Sequence, residues 1–284
     1  MKKLAALTMA ALMAVSVAGC GSSKTEETTP AETKTESAAE SKDAAETEAK
    51  ADAEEAEADG EKKVYQIATD TTFAPFEFEN EKGEMVGIDL DLLKAIAEDQ
   101  GFEYELQVVG FNAAVTSLEA GESDAVIAGM SITPQRQEKY DFSEPYFESG
   151  VGCAVLADSD IDDYDDLKGQ QVAAKTGTEG CKFAKSIADQ YGFTVAEFDS
   201  SSNMYQDVLT GTSAACFEDY PVMGYEITRG VELKLLDKLE SKNSYGLGVM
   251  KGENGELVEM FNAGLKNLQD SGKYDEIVNT YITK

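Results

Sequence analysis

The chain has no histidine and no tryptophan among its 284 residues, and only two arginines, five prolines and four cysteines. Without histidine, Ser-His-Asp and Cys-His catalysis are excluded, as is every histidine-ligated metal site. No G-x-x-x-x-G-K-[ST] motif occurs, which removes nucleotide binding by that route. Beyond the N-terminus no apolar run approaches the roughly 18 residues that a membrane-crossing helix needs. Basic residues are scarce: 24 Lys and Arg stand against 55 Asp and Glu, a net charge of −31. That excess argues against nucleic acid and against adhesion to an anionic membrane surface. It leaves the ligand open, because a pocket can differ from the average field. After Cys20 only Cys153, Cys181 and Cys216 remain, so at least one thiol is free or pairs between chains. Two readings stand for them: a Cys181–Cys216 disulfide, or three small buried side chains.

What is present begins with an address. Lys2 and Lys3 form a basic start, residues 4–17 an apolar core too short to span a membrane comfortably, and Val17-Ala18-Gly19-Cys20 ends it. This resembles a bacterial lipobox, so residues 1–20 are expected to be a lipoprotein signal peptide. Cys20 is then the lipidated (palmitate-bearing) first residue, holding the protein on the extracytoplasmic face of the cell membrane. Several acyl chains on one residue exceed the one-chain limit for stable attachment. Residues 21–63 are Thr, Ala, Glu, Ser and Lys with almost no large apolar side chain. They cannot bury enough surface to offset ordering entropy, and read as a disordered acidic tether.

From Val64 the pattern alternates strand and helix. An apolar strand at 64–68 delivers Asp70 and Phe73 into a loop that Pro75 stiffens, and an amphipathic helix with an acidic first turn follows Gly87. A charge and a ring at the C-terminal end of a strand suit a small-molecule site in an open α/β sheet. Further strands are expected at 102–109, 124–128, 152–156, 171–174, 195–198, 213–217 and 245–250. Helices are expected at 113–119, from Pro134, and at 164–167, 180–190, 204–209, 222–228, 256–271 and 274–280. This alternation predicts parallel sheets covered on both faces.

Six segments in order carry a family resemblance: Ala68-Thr69-Asp70-Thr71-Thr72-Phe73-Ala74-Pro75-Phe76, Gly87-Ile88-Asp89-Leu90-Asp91-Leu92, Ala128-Gly129-Met130-Ser131-Ile132-Thr133-Pro134-Gln135-Arg136, Asp141-Phe142-Ser143-Glu144-Pro145-Tyr146, Ala174-Lys175-Thr176-Gly177-Thr178 and Gly272-Lys273-Tyr274-Asp275-Glu276-Ile277. Across residues 64–284 the chain resembles a family 3 solute-binding protein of a bacterial polar amino-acid ABC importer, closest to the glutamine-binding type. The resemblance implies a two-lobed, type II periplasmic-binding-protein-like α/β fold, with lobes joined by two crossover strands near 149–155 and 244–250. Lobe one is then 64–150 plus 247–284 and lobe two 154–243, with the ligand closed in the cleft by a hinge motion.

A free amino acid sets clear requirements. Its carboxylate wants a planar, bidentate cation. The two arginines are Arg136 and Arg229; the resemblance makes Arg136 the clamp, beside backbone N–H groups that include that of Glu179, and Arg229 is read as structural. The ammonium is expected on Asp219, with the Gly129 carbonyl and the Ser131 hydroxyl. Phe73 and Phe111 match positions whose rings sandwich the ligand's stem, and Thr178 lies in a matching motif. Asp70, Lys175 and Glu218 are expected at the far end. A lysine there repels a cationic side chain and suits a carboxamide, which favours glutamine. Glu218 and Glu179 depart from the glutamine-binding pattern, and Glu218 could instead cancel the charge of Lys175, readmitting Arg, Lys or His; cystine is a further alternative. No cofactor, no metal and no catalysis are expected. The implied partners are the amino acid, an ABC permease and its ATPase subunit, with the chain itself a monomer. An enzyme or a ligand sensor on the same fold is the competing class.

Overall fold

The computed structural model describes residues 63–282. The leader, Cys20 and all but the last residue of the 21–63 segment lie outside the described residues.

Strand β1 (Val64–Thr69) runs into a small antiparallel sheet of β2 (Thr72–Phe73), β3 (Glu77–Glu79) and β4 (Met85–Val86). Helix α1 (Ile88–Gln100) follows because Ile88, Leu92, Leu93, Ile96 and Ala97 recur on one face, and all five are buried. Then come β5 (Glu103–Val108), α2 (Phe111–Glu119), β6 (Ala125–Val126), the single-turn α3 (Pro134–Gln137) and β7 (Tyr140–Phe142). The ten-residue β8 (Phe147–Leu156) opens the second half. It is followed by a 3-10 turn at Tyr164–Leu167, β9 (Gln171–Lys175), α4 (Glu179–Tyr191), β10 (Thr194–Phe198), α5 (Ser201–Leu209), β11 (Ala215–Asp219) and α6 (Tyr220–Thr228). Last are β12 (Leu233–Leu235), β13 (Glu240–Tyr245), β14 (Gly248–Met250), α7 (Gly255–Ser271) and α8 (Lys273–Tyr281).

Two large sheets result, giving a mixed α/β fold with two sheet-containing lobes. The first has the order β5-β1-β6-β14-β7, the second β10-β9-β11-β8-β12 with β13 also on β8. The expected parallel arrangement holds only for β5-β1-β6 and for β10-β9-β11. Strand β14 lies antiparallel to β6 and β7, and β8 antiparallel to β11, β12 and β13. The cause is topological: β8 and β14 are where the chain enters one sheet from the other, without a helical crossover to turn it. The stretch 245–250, read as one strand, is divided: Tyr245 ends β13 on the second sheet, and Gly248 begins β14 on the first.

The lobe-one core gathers Ile67, Phe76, Leu92, Ile96, Leu247 and Phe261, with α1 and α7 on the same side. Lobe two packs Val151, Val155, Val172, Phe193 and Phe217 on one side of its sheet, and Met204, Val208, Cys216 and Met223 on the other. Cys153, Cys181 and Cys216 are all buried and unpaired, which is the small-buried-residue reading. Burial pushes the thiols of Cys153 and Cys216 far up, and that of Cys181 to about 11.

Candidate functional site

A cavity between the lobes is lined by Asp70, Phe73, Phe111, Gly129, Ser131, Arg136, Lys175, Thr178, Glu179 and Asp219. The end of β1 and the β2 hairpin bring Asp70 and Phe73, and the start of α2 brings Phe111. The loop after β6 brings Gly129 and Ser131, α3 brings Arg136, the turn from β9 into α4 brings Lys175, Thr178 and Glu179, and the end of β11 brings Asp219. Larger grooves exist elsewhere, but they carry no comparable set of buried charges. Of the eleven ligand residues expected from sequence, ten line this cavity. Glu218 does not: its side chain is fully buried and turned toward α5.

Arg136 is 7% exposed. Thr133 caps its short helix, its Oγ1 accepting the Arg136 N–H at 3.2 Å, and Pro134 presets the first turn. The guanidinium donates from Nη1 to the Ser131 carbonyl at 2.9 Å and from Nη2 to the Gly177 carbonyl at 3.2 Å. Nε lies 3.5 Å from Glu179 Oε1, and the group stands over the Phe111 ring at 5.3 Å. A guanidinium has five N–H donors, so these three contacts leave two for a ligand. Burial lowers the pKa of Arg136 while Glu179 and Asp219 support its charge.

Across the cavity, Asp219 Oδ2 accepts the Tyr245 hydroxyl at 2.7 Å, and no described donor reaches Oδ1. Burial raises its carboxyl to about 6, opposed by the Tyr245 bond and by Arg136. Asp219 also precedes α6, but its side chain makes no capping bond. At the N-terminus of α4, Thr178 Oγ1 accepts the Cys181 N–H at 3.2 Å and donates to the Lys175 carbonyl at 2.7 Å. The Glu179 oxygen that faces Arg136 also pairs with Lys182 at 2.8 Å.

At the other end, Lys175 and Asp70 are in direct ion-pair contact, both 1% exposed. The Lys175 ammonium also donates to Ser201 Oγ at 3.2 Å, makes a long contact of 3.5 Å with Thr72 Oγ1, and stands over the Phe73 ring at 5.2 Å. Ser201 in turn donates to Glu218 Oε2 at 2.7 Å. Burial raises the Glu218 carboxyl to about 7, with Lys175 pulling the other way. Lys175 is thus neutralised first by Asp70, and Glu218 acts on it through a hydroxyl. Sequence reasoning singled out neither Ser201, Thr72 nor Tyr245. Ser201 carried only a capping signal, and Tyr245 only that of an apolar strand residue.

Comparison with known proteins agrees with this architecture. Residues 65–284 match the bacterial extracellular solute-binding proteins, family 3. The ABC transporter glutamine-binding protein GlnH of Bacillus subtilis is 31% identical, over 99% of this chain and 98% of its own. The arginine-binding extracellular protein ArtP of the same organism is 29% identical, over 79% and 88%. The second substrate-binding domain of Lactococcus lactis GlnP, in its open conformation, superimposes with a TM-score of 0.57 at 41% identity, over 79% of this chain and 97% of that one. These relatives are transport binding proteins, not enzymes. Sequence match, two-sheet topology and a cleft of buried charges together assign the chain to the bacterial extracellular solute-binding proteins, family 3.

Proposed function

We propose that this chain captures a polar L-amino acid, glutamine first, between its lobes and delivers it to an ABC permease driven by an ATPase subunit. The observation that carries this reading is the pairing of Arg136, with N–H donors to spare, and Asp219, with a free buried oxygen, on one small cavity. Those two groups complement a zwitterion. The carboxylate sits on Arg136, aided by backbone N–H groups at the start of α4, where the helix dipole favours an anion. The ammonium sits on Asp219, the Gly129 carbonyl and the Ser131 hydroxyl. Phe73 and Phe111 flank the stem.

The far end supports a neutral side chain. Asp70 and Lys175 form a pair of no net charge, able to receive both the N–H groups and the carbonyl of a carboxamide. The long Lys175–Thr72 contact is the one a ligand carbonyl would replace. The second reading is a basic amino acid, favoured by Glu218: once ionised, it leaves a surplus negative charge behind Lys175. The lobes, 64–150 plus 247–284 and 154–243, close about the two crossovers, and lipid on Cys20 holds the monomer at the membrane. Metabolic labelling with a palmitate analogue, abolished by Cys20→Ala, tests the anchor.

Titration of the full chain, unfolded and refolded to strip carried ligand, with the twenty L-amino acids tests the whole reading. Preference for glutamine supports the Asp70–Lys175 argument. Preference for arginine or lysine transfers the role to Glu218, and binding of none overturns the function.

A further inference from the structure

Glu218 is fully buried and lies off the cavity wall. Its Oε2 accepts the Ser201 hydroxyl at 2.7 Å, and its Oε1 has no partner among the described residues. A serine hydroxyl has one proton to give. With that proton committed to Glu218, Ser201 Oγ turns a lone pair toward Lys175, whose ammonium donates to it at 3.2 Å. Ser201 is only 2% exposed and does not line the cavity itself. Nor does its side chain cap α5: Ser200 does, its Oγ accepting the Asn203 N–H at 3.2 Å.

An ammonium on a flexible four-carbon stem has three donors and no fixed direction of its own. Here Asp70 takes one N–H and Ser201 a second. The third has only the 3.5 Å contact with Thr72 Oγ1, beyond an ordinary N–H···O bond. The two good partners come from different sheets. Asp70 follows β1 of the first sheet. Ser201 opens α5, which packs on β9 and β11, the strands that carry Lys175 and Glu218. Serine, lysine and glutamate thus form one hydrogen-bonded chain on the second sheet, and that chain aims the lysine.

We propose that Ser201 is a specificity-determining positioning residue: its hydroxyl, oriented by Glu218, holds the Lys175 ammonium so that one N–H stays directed into the cleft for the carbonyl of a carboxamide side chain. That role rests on the reading of the cleft as an amino-acid site, and names how the site selects a carboxamide. Glu218 serves in it as the acceptor of the serine proton, a duty that Glu218→Gln retains through its amide oxygen. A guanidinium or ammonium side chain offers no acceptor to the Lys175 N–H. The arrangement therefore favours glutamine over arginine or lysine.

The test measures binding of L-glutamine and L-arginine by calorimetry on the ligand-stripped full chain and its variants. Ser201→Ala keeps the Ser200 cap and the backbone N–H bond from position 201 to Thr72 Oγ1, and alanine suits a helix. In Ser201→Ala, glutamine affinity should fall about tenfold or more while arginine affinity stays within about threefold. Glu218→Gln should hold glutamine within about threefold of the wild type. Should the unpartnered Glu218 keep Ser201→Ala from folding, the double variant Ser201→Ala/Glu218→Leu removes both polar groups, and the same loss is expected of it. Glutamine binding unchanged without the hydroxyl, or an equal loss for both probes, overturns the proposal and leaves the amino-acid reading intact. A wild type that prefers arginine overturns it as well. If the wild type binds neither probe, the amino-acid reading fails, and crystal structures then judge the hold on Lys175. An ammonium that sits at Ser201 Oγ in the wild type and moves by more than about 1 Å in Ser201→Ala supports that hold, and an unmoved one overturns it.

Discussion

Arg136 and Asp219 face one cavity from opposite lobes, each kept from water and each with capacity left over. Arg136→Ala should cost about 2–5 kcal/mol of ligand binding, the usual loss when one member of a buried charge pair is removed. Calorimetry checks this, and a loss under about tenfold would mean that the carboxylate is held elsewhere. Asp219 carries a pH dependence of known sign. Its carboxyl, raised to about 6, must be ionised to hold an ammonium. Affinity should therefore be flat above neutrality and weaken below about pH 6, by up to about tenfold per pH unit for one proton. Lys175→Leu leaves Asp70 unpaired, so glutamine should bind more weakly and arginine relatively better; an unchanged ranking would refute the charge argument. The resemblance, through the segment Ala128 to Arg136, marked Arg136 as the candidate clamp, and the structure places its side chain on the cavity wall. Ser201 and Tyr245 were not legible in the sequence, because their meaning lies in partners far along the chain: Ser201 in Glu218 and Lys175, and Tyr245 in Asp219.

The first turn of α4 presses against the end of β11, and this contact sets the cavity's lobe-two wall. A Cβ on Gly180 would lie 2.7 Å from the Phe217 carbonyl oxygen and 3.1 Å from the Glu218 nitrogen. Those are backbone atoms that cannot swing aside, so Gly180→Ala should destabilise the protein by about 1–3 kcal/mol. Denaturant unfolding reads that loss, and weaker ligand binding should accompany it. Long elements with a strong period, such as α4 and α7, could be read from sequence to within a residue or two. The hairpin strands of two or three residues at 72–86 could not, because no period develops over so short a run. Strand β13 was missed for another reason: Glu-Ser-Lys-Asn-Ser-Tyr is polar throughout, and it is held by pairing with β8 rather than by an apolar face.

At the scale of the molecule, the net charge of −31 acts on any cationic ligand before it reaches the cleft. Arginine affinity should fall as salt rises, whereas glutamine, with no net charge, should change less than about twofold. Equal salt responses would show that the surface field plays no part in capture. In the structure the lobes meet through Lys175 with Asp70, Arg136 with the Gly177 carbonyl, and the Ser201 N–H with Thr72 Oγ1. Ligand-free protein, lacking the bridge between Arg136 and Asp219, should scatter X-rays as a more extended particle than the loaded form. Following that motion calls for reporters on each lobe, and here the burial of the native thiols matters. Thiolates, not thiols, attack labelling reagents, and Cys153, Cys181 and Cys216 are all buried with their ionisation pushed upward. One engineered surface cysteine per lobe would therefore take a fluorophore without removal of the three internal ones, turning the folded domain into a molecular ruler for its own closing.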